Sequence, residues 1–402
     1  NTVTDQWTSV QASAGSVSFT GVDGLTLAAN TVSVEINSAG TANTNTSVVD
    51  YSDTATDLTV ATGPSSSTTL DMDGGLGELL RASGNFDIDL FGFVSASGSL
   101  AFEKSTGSAT LADSSTITTD QLLIGGTDLD GFIGYNGDTA EEIGLELQDI
   151  SFAIAILNDQ NTATDQWTSV QANAGSVSFV GVDGLTLSAD TVSVEINSAG
   201  TTNTNTSVVD YSDGETDLTI ATGPSSSTTL DMDGSLGELL RASGNFDIDL
   251  FGFVSASGSL AFEKSTGSAT LADASSITTD QLLIGGTDLD GFIGYNGDTA
   301  EEIGLELQDI SFAIAILNDQ NTATDQWTSV QANAGSVSFV GVDGLTLSAD
   351  TVSVEINSAG TTNTNTSVVD YSDGETDLTI ATGPSSSTTL DMDGSLGELL
   401  RA

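Results

Sequence analysis

The stretch Ile303–Gly304–Leu305–Glu306–Leu307–Gln308–Asp309–Ile310–Ser311–Phe312–Ala313–Ile314–Ala315–Ile316–Leu317 is apolar first at Ile303, Leu305 and Leu307, then at Ile310, Phe312, Ile314 and Ile316. Alternation with period two marks a β-strand with one face toward a core. The parity changes across Gln308–Asp309, and a one-residue slip sends every later side chain to the opposite face, so a bulge or corner is predicted there. Leu185, Leu187 and Ala189 give way in the same manner to Val192, Val194 and Ile196 across Asp190–Thr191. A straight strand of about 14 residues would run roughly 46 Å, against a usual length of roughly 5–6 residues. Strands that turn corners build closed or wound sheets.

Working outward, Gly184–Leu185–Thr186–Leu187, Gly175–Ser176–Val177–Ser178–Phe179 and Gly258–Ser259–Leu260–Ala261–Phe262 show the same alternation, each entered through a glycine. Polar clusters at 200–207 and 222–227 read as turns. The best helical candidate, Leu236–Gly237–Glu238–Leu239–Leu240–Arg241–Ala242, is one or two turns at most.

Self-comparison gives the organisation. The segment from Asn1 to Trp7 returns from Asn161 to Trp167 and from Asn321 to Trp327, a period of 160 residues. Residues 321–402 match 161–242 at all 82 positions, whereas 1–82 differ from 161–242 at ten, among them Ser13/Asn173, Thr20/Val180 and Asn30/Asp190. The expected domains are therefore repeat 1 (1–160), repeat 2 (161–320) and a partial repeat 3 (321–402), read as a window on a longer array. No Pro-rich or Gly/Ser-rich linker marks a joint at 158–166. An all-β, elongated tandem-repeat body is predicted, with a continuous β-solenoid or β-tube favoured over tandem β-sandwiches.

Composition limits the chemistry. The 402 residues include no Cys and no His, and 57 acidic residues face 5 basic ones, for a formal charge of −52. Imidazole bases, thiolate nucleophiles, disulfides and soft-ligand zinc sites are thereby excluded. The charge would repel phosphate backbones and anionic lipid, so nucleic acid and membrane surfaces are poor partners. Metal cations are better partners. The longest apolar run, Ile150 to Leu157, falls far short of the roughly 20 residues of a membrane span, so no membrane insertion is expected. A hydrophobic fraction of 38% is too high for a solvated acidic tail, so the chain is expected to fold.

Two carboxylate motifs have the look of calcium loops. Asp231–Met232–Asp233–Gly234, repeated from Asp71–Met72–Asp73–Gly74, sets hard oxygen ligands at alternate positions before a glycine turn. The glycine comes fourth rather than sixth, so the EF-hand match is partial. Asp288–Leu289–Asp290–Gly291, with Asn296 and Asp298, repeats Asp128–Leu129–Asp130–Gly131. The candidate metal ligands are thus Asp71, Asp73, Asp128, Asp130, Asp231, Asp233, Asp288 and Asp290, with Ca²⁺ as the ion. The competing reading makes each an Asp–Gly turn with its carboxylates in water.

No pair among 57 acids stands out for glycoside hydrolysis, and nothing else offers a catalytic constellation, so no enzyme is expected. Phe246, Phe253, Phe262 and Phe312 fall at strand-alternating positions and are expected in the core. Trp167 opens a strand and reads as a plug at the repeat junction or an anchor for a neighbouring chain. Arg241 and Lys264, the cations of their repeat, are expected among carboxylates.

Near-identical, acidic, Cys-free repeats with Gly-led strands such as Phe253–Val254–Ser255–Ala256–Ser257–Gly258–Ser259–Leu260–Ala261–Phe262–Glu263–Lys264 resemble the repeat regions of giant bacterial surface and secreted proteins, including the large repetitive adhesins. That resemblance implies an extracellular or cell-surface filament, tube or stalk whose length is set by repeat number. Its partners would be neighbouring repeats of the same chain and identical chains in a filament. The alternative it leaves open is a calcium-rigidified adhesin module that binds a cell-surface or glycan ligand.

Overall fold

A computed structural model describes residues 5–52, 57–137, 139–212, 217–297, 299–372 and 377–402. Strands hold 65% of the residues, far above the roughly 20–25% of an average globular protein, so the chain is all-β. In the first copy the strands are β1 (Trp7–Phe19), β2 (Leu25–Ala39), β3 (Leu58–Gly63), β4 (Ser66–Leu70), β5 (Leu79–Leu90), β6 (Val94–Thr110), β7 (Thr116–Tyr135) and β8 (Ile143–Asp159). The second copy repeats them as β9 (Gln166–Val180), β10 (Leu185–Ala199), β11 (Thr219–Ala221), β12 (Ser227–Thr229), β13 (Leu239–Leu250), β14 (Val254–Thr270), β15 (Ser276–Tyr295) and β16 (Ile303–Asp319). The third adds β17 (Gln326–Val340), β18 (Leu347–Ala359), β19 (Leu378–Ala381), β20 (Ser387–Leu390) and β21 (Leu399–Arg401).

The long strands form one antiparallel sheet of 15, in the order β1-β2-β5-β6-β7-β8-β9-β10-β13-β14-β15-β16-β17-β18-β21. Apart from the skipped β3–β4, β11–β12 and β19–β20 hairpins, the order follows the sequence. Each hairpin belongs to an excursion of the chain, at 40–78, 200–238 and 360–398, that leaves the sheet after one strand and returns at the next. The segment expected to begin a helix at Leu236 instead closes a 3₁₀ turn, Gly234–Leu236, and enters β13 at Leu239. Glycine at 237, with φ of 64°, breaks any helix there.

At the parity changes the structure places β-bulges, and the sheet is open, with β1 and β21 at its edges. Asp309 and Thr191 take left-handed φ values of 54° and 51°, and Asp288 joins them at 51°. In the first copy, the β2–β5 register shifts between Asn30 and Ser33, around Thr31 at 53°. A single left-handed residue in a strand inserts the extra step that the parity change requires.

The chain divides into two compact units. One comprises 1–139, 148–172 and 197–234, and the other 140–147, 173–196 and 235–402. The second unit's core joins Ala313, Ala315 and Leu317 of β16 to Leu283, Trp327, Val369, Tyr371, Ile380, Leu390 and Met392. Phe312, Ile314 and Ile316 of β16 alternate with Ala313, Ala315 and Leu317 and point the other way. Phe262, Ile284, Ile314, Val330 and Ile356 form one cross-strand row, each half-buried. An open apolar trough of about 400 Å³ lies on this side, among Val192, Phe246, Leu260, Phe262 and Ile284. The phenylalanines expected in the core are therefore half-buried at 246, 262 and 312. Phe253 is exposed beside Tyr295, their ring centroids 5.9 Å apart.

Candidate functional site

The excursions build a seam of polar and apolar contacts between successive copies. In the first unit, the described residues of 200–234 lie over strands of the preceding copy. Leu111 and Val209 pair as an isolated antiparallel bridge. It is flanked by Ala112 N–H to the Val208 carbonyl at 2.9 Å and Asp210 N–H to the Thr110 carbonyl at 2.9 Å. Asn205 Nδ2 donates to Asp113 Oδ2 at 3.0 Å. Val208, Val209, Tyr211, Ile220, Leu230 and Met232 are buried, as are Leu111, Leu123, Ala153, Ala155 and Leu157 of the earlier copy. Full burial of the valine, leucine, isoleucine and methionine side chains among them contributes about 1.5–3 kcal/mol each.

The sheet face under the hairpin is made of small residues because backbones must meet there. A Cβ on Gly125 would collide with the carbonyl oxygen of Ala221, and one on Gly223 would stand 2.7 Å from the Ser99 Cβ. The neighbouring Gly126 serves the opposite side, where a Cβ would meet Leu129, Phe152 and Leu100. The second unit repeats the seam. Leu271 bridges Val369, Ala272 N–H donates to Val368 at 2.9 Å, Asn365 donates to Asp273 at 3.1 Å, and Gly285 faces Ala381.

Beneath the seam, buried polar side chains partner one another. Asn197 Nδ2 donates to the Val209 carbonyl at 2.7 Å, and its Oδ1 accepts from Ser169 Oγ at 3.2 Å. Ser169 in turn accepts from the Tyr211 hydroxyl at 2.9 Å. Burial pushes the Tyr211 hydroxyl up to about 12. Trp167, 1% exposed, donates Nε1–H to the Ser207 carbonyl at 2.8 Å, which fits the junction-plug expectation. Asp165 accepts from the Thr204 hydroxyl at 2.6 Å and the Thr204 N–H at 2.9 Å, and these bonds hold it below the usual carboxylate range. Asp273 is held down to about 2 by the hydroxyl and N–H of Ser275 and then by Asn365.

Arg241 bridges Glu195 at 2.9 Å and Glu263 at 2.9 Å, joining β10, β13 and β14. Burial works to lower its pKa, but the two carboxylates hold it above its ordinary value. Lys264 sits on the other side of β14, in register with Leu240 and Leu282.

The calcium candidates occupy separate structural roles. Asp71 and Asp73, Asp231 and Asp233 are exposed on either side of buried Met72 and Met232. Asp71 accepts from Gln11 Nε2 at 3.0 Å, and Asp73 caps the following 3₁₀ turn by accepting from Gly75 N–H at 2.7 Å. Asp128 and Asp288, each at φ of 51°, are themselves bulge residues. Asp130 accepts the N–H of Asp149, and Asp290 that of Asp309, both at 2.9 Å, so each pins the kink of the next strand. Asp298 lies outside the described residues. Among the described residues no group of three or more carboxylates is placed to hold one metal ion.

Residue-by-residue reading of the sequence missed the seam. The signal was the spacing of Val208, Val209, Tyr211, Ile220, Leu230 and Met232 through a segment otherwise made of turn formers. Such side chains require a cover, and the cover is the preceding copy. No family model, curated protein or solved structure matches the chain.

Proposed function

We propose that the chain is a structural repeat of an extracellular filament, tube or surface stalk whose length is set by repeat number. The observation that carries this reading is the seam: the same excursion closes the same face of the preceding copy at Leu111–Val209 and at Leu271–Val369. Units coupled only to their neighbours grow in one dimension, and stability accumulates from repeat and interface terms. Each added copy extends reach without new folding information. A continuous sheet that winds or closes at its corners gives such a body stiffness, and a charge of −52 opposes lateral aggregation.

In this reading the acidic residues serve solubility, turns and kinks, and the protein performs no catalysis. The test is small-angle scattering and cryo-electron microscopy of the full chain extended by one, two and three copies of 161–320, with and without a calcium chelator. A constant axial increment per copy, unchanged by chelator, is the expected result. Dimensions that grow as for freely jointed beads, or that collapse on chelation, would replace this reading with the calcium-rigidified adhesin module.

A further inference from the structure

The three excursions have nearly one sequence and two different surroundings. Ile220 and Ile380 are each 1% exposed beneath the seam, whereas their counterpart Val60 is 45% exposed and Leu58 49%. Val48 and Val49 are half-buried where Val208 and Val209 are buried. The described residues of the first excursion nonetheless make the same internal contacts. Tyr51, Leu70, Met72 and Leu79 form its own core, Asn37 Nδ2 donates to the Val49 carbonyl at 2.7 Å, and Trp7 donates to Ser47 at 2.8 Å. The surface is preformed.

Of the ten differences between 1–82 and 161–242, Val60 for Ile220 is the one among these apolar contact positions, and it removes a single methylene. Apolar side chains displayed together on so acidic a chain mark a contact surface. Its shape is defined by what occupies the equivalent surface twice in this molecule.

We infer that the outer face of the first excursion, centred on Val49, Leu58 and Val60, is a docking surface for one further copy of this repeat joined in series before it. That copy would seat its counterpart of Leu271 against Val49 and its counterpart of Gly285 against Ala61. The contact is continuous in kind with the two seams already formed, and it rests on the filament reading only for its purpose. A heterologous contact of this sort leaves one face open at each end and propagates without closure.

The absence of cysteine makes the test direct. The full chain is preceded by one copy of 161–320, joined as Gln320 joins Asn321. Cysteines replace Val49 and the added copy's counterpart of Leu271. The reference carries Leu111→Cys and Val209→Cys, a bridged pair at a spacing that suits a disulfide. Mild oxidation is expected to join the new pair within one chain as completely as the reference. Hydrogen exchange of β3 and β4, without cysteines, is expected to slow to the rate of β11 and β12. The inference is overturned if the reference pair closes while the new pair stays reduced and β3–β4 exchange is unchanged, or if cross-links form only between chains. Beads seen by microscopy with the new pair joined would remove the filament reading alone, and a straight array with it unjoined would remove this inference alone.

Discussion

Gly125 faces the carbonyl oxygen of Ala221 with no room for a side-chain carbon between them, so a strand of one copy and a hairpin of the next meet backbone to backbone. The same relationship recurs between Gly285 and Ala381. A rigid main-chain atom cannot swing aside as a side-chain tip can. The strictness of the seam follows from that.

Gly125→Val is expected to lift the hairpin and destabilise the seam by about 1–3 kcal/mol, the usual cost of overpacking a close contact. Urea unfolding and exchange rates of β11–β12 measure it. Gly131→Ala is the control, because a Cβ there meets only the Ser95 carbonyl at 3.7 Å. Equal loss in both variants would show that the seam plays no special part.

Asn197→Ala removes the donor to Val209 and the acceptor for Ser169, both buried. A loss of about 1–3 kcal/mol is expected from the unsatisfied groups. Asn197→Asp is expected to fare worse at neutral pH and to recover partly in acid, since a buried carboxylate cannot donate to a carbonyl until protonated. A pH-independent deficit in the aspartate variant would contradict this.

Acid should open the seam before it unfolds the strands. Asp165 and Asp113 are held below the ordinary carboxylate value of 3.8, and Asp273 down to about 2. A depressed folded pKa contributes stability that is complete above the unfolded value and lost as pH falls through the folded one. The window is therefore from about 4 down to about 2. Fluorescence of Trp167 and Trp327, buried at the seams, reports it. Asp273→Asn is expected to shrink the acid-dependent part of the change.

At the alkaline end the sign reverses. Tyr211 and Tyr371 are raised from 10.0 to about 12 by burial, so between those values the unfolded chain ionises first and stability falls as pH rises. Tyr211→Phe with Tyr371→Phe is expected to remove most of this slope while costing the hydrogen bonds to Ser169 and Ser329. Denaturant titrations at a series of pH values between 9 and about 12 test it.

Arg241→Met leaves Glu195 and Glu263 facing one another across β13. The arginine side chain is 35% exposed, which places the cost between that of a surface pair and a buried one, about 1–3 kcal/mol. Added salt should restore part of the loss. A variant indifferent to salt would mean that the bridge acts through packing alone.

Local order was legible because it depends on neighbours along the chain. The period of 160 residues, the all-β character and the bulges at Gln308–Asp309 and Asp190–Thr191 were all present in alternation and parity, since side-chain direction in a strand is set by counting. The Asp–Gly motifs were visible too, but with two meanings. What they do not spell out is that Asp73 accepts from the N–H of Gly75 and Asp130 from that of Asp149, since the second partner lies on another strand.

Which face would be buried was a different matter. Alternation along β16 distinguishes Ile314 and Ile316 from Ala313 and Ala315, and size alone favours the isoleucines for the interior. The structure buries the alanines, because the cover is a hairpin from the following copy and its backbone needs a floor of Ala and Gly to approach. The sequence by itself determined the strands, their bulges and their repetition, all properties of short spans. Only the tertiary structure decided which face the hairpin covers, because that depends on backbone fit between residues as distant as Gly285 and Ala381, which no periodicity within either segment records.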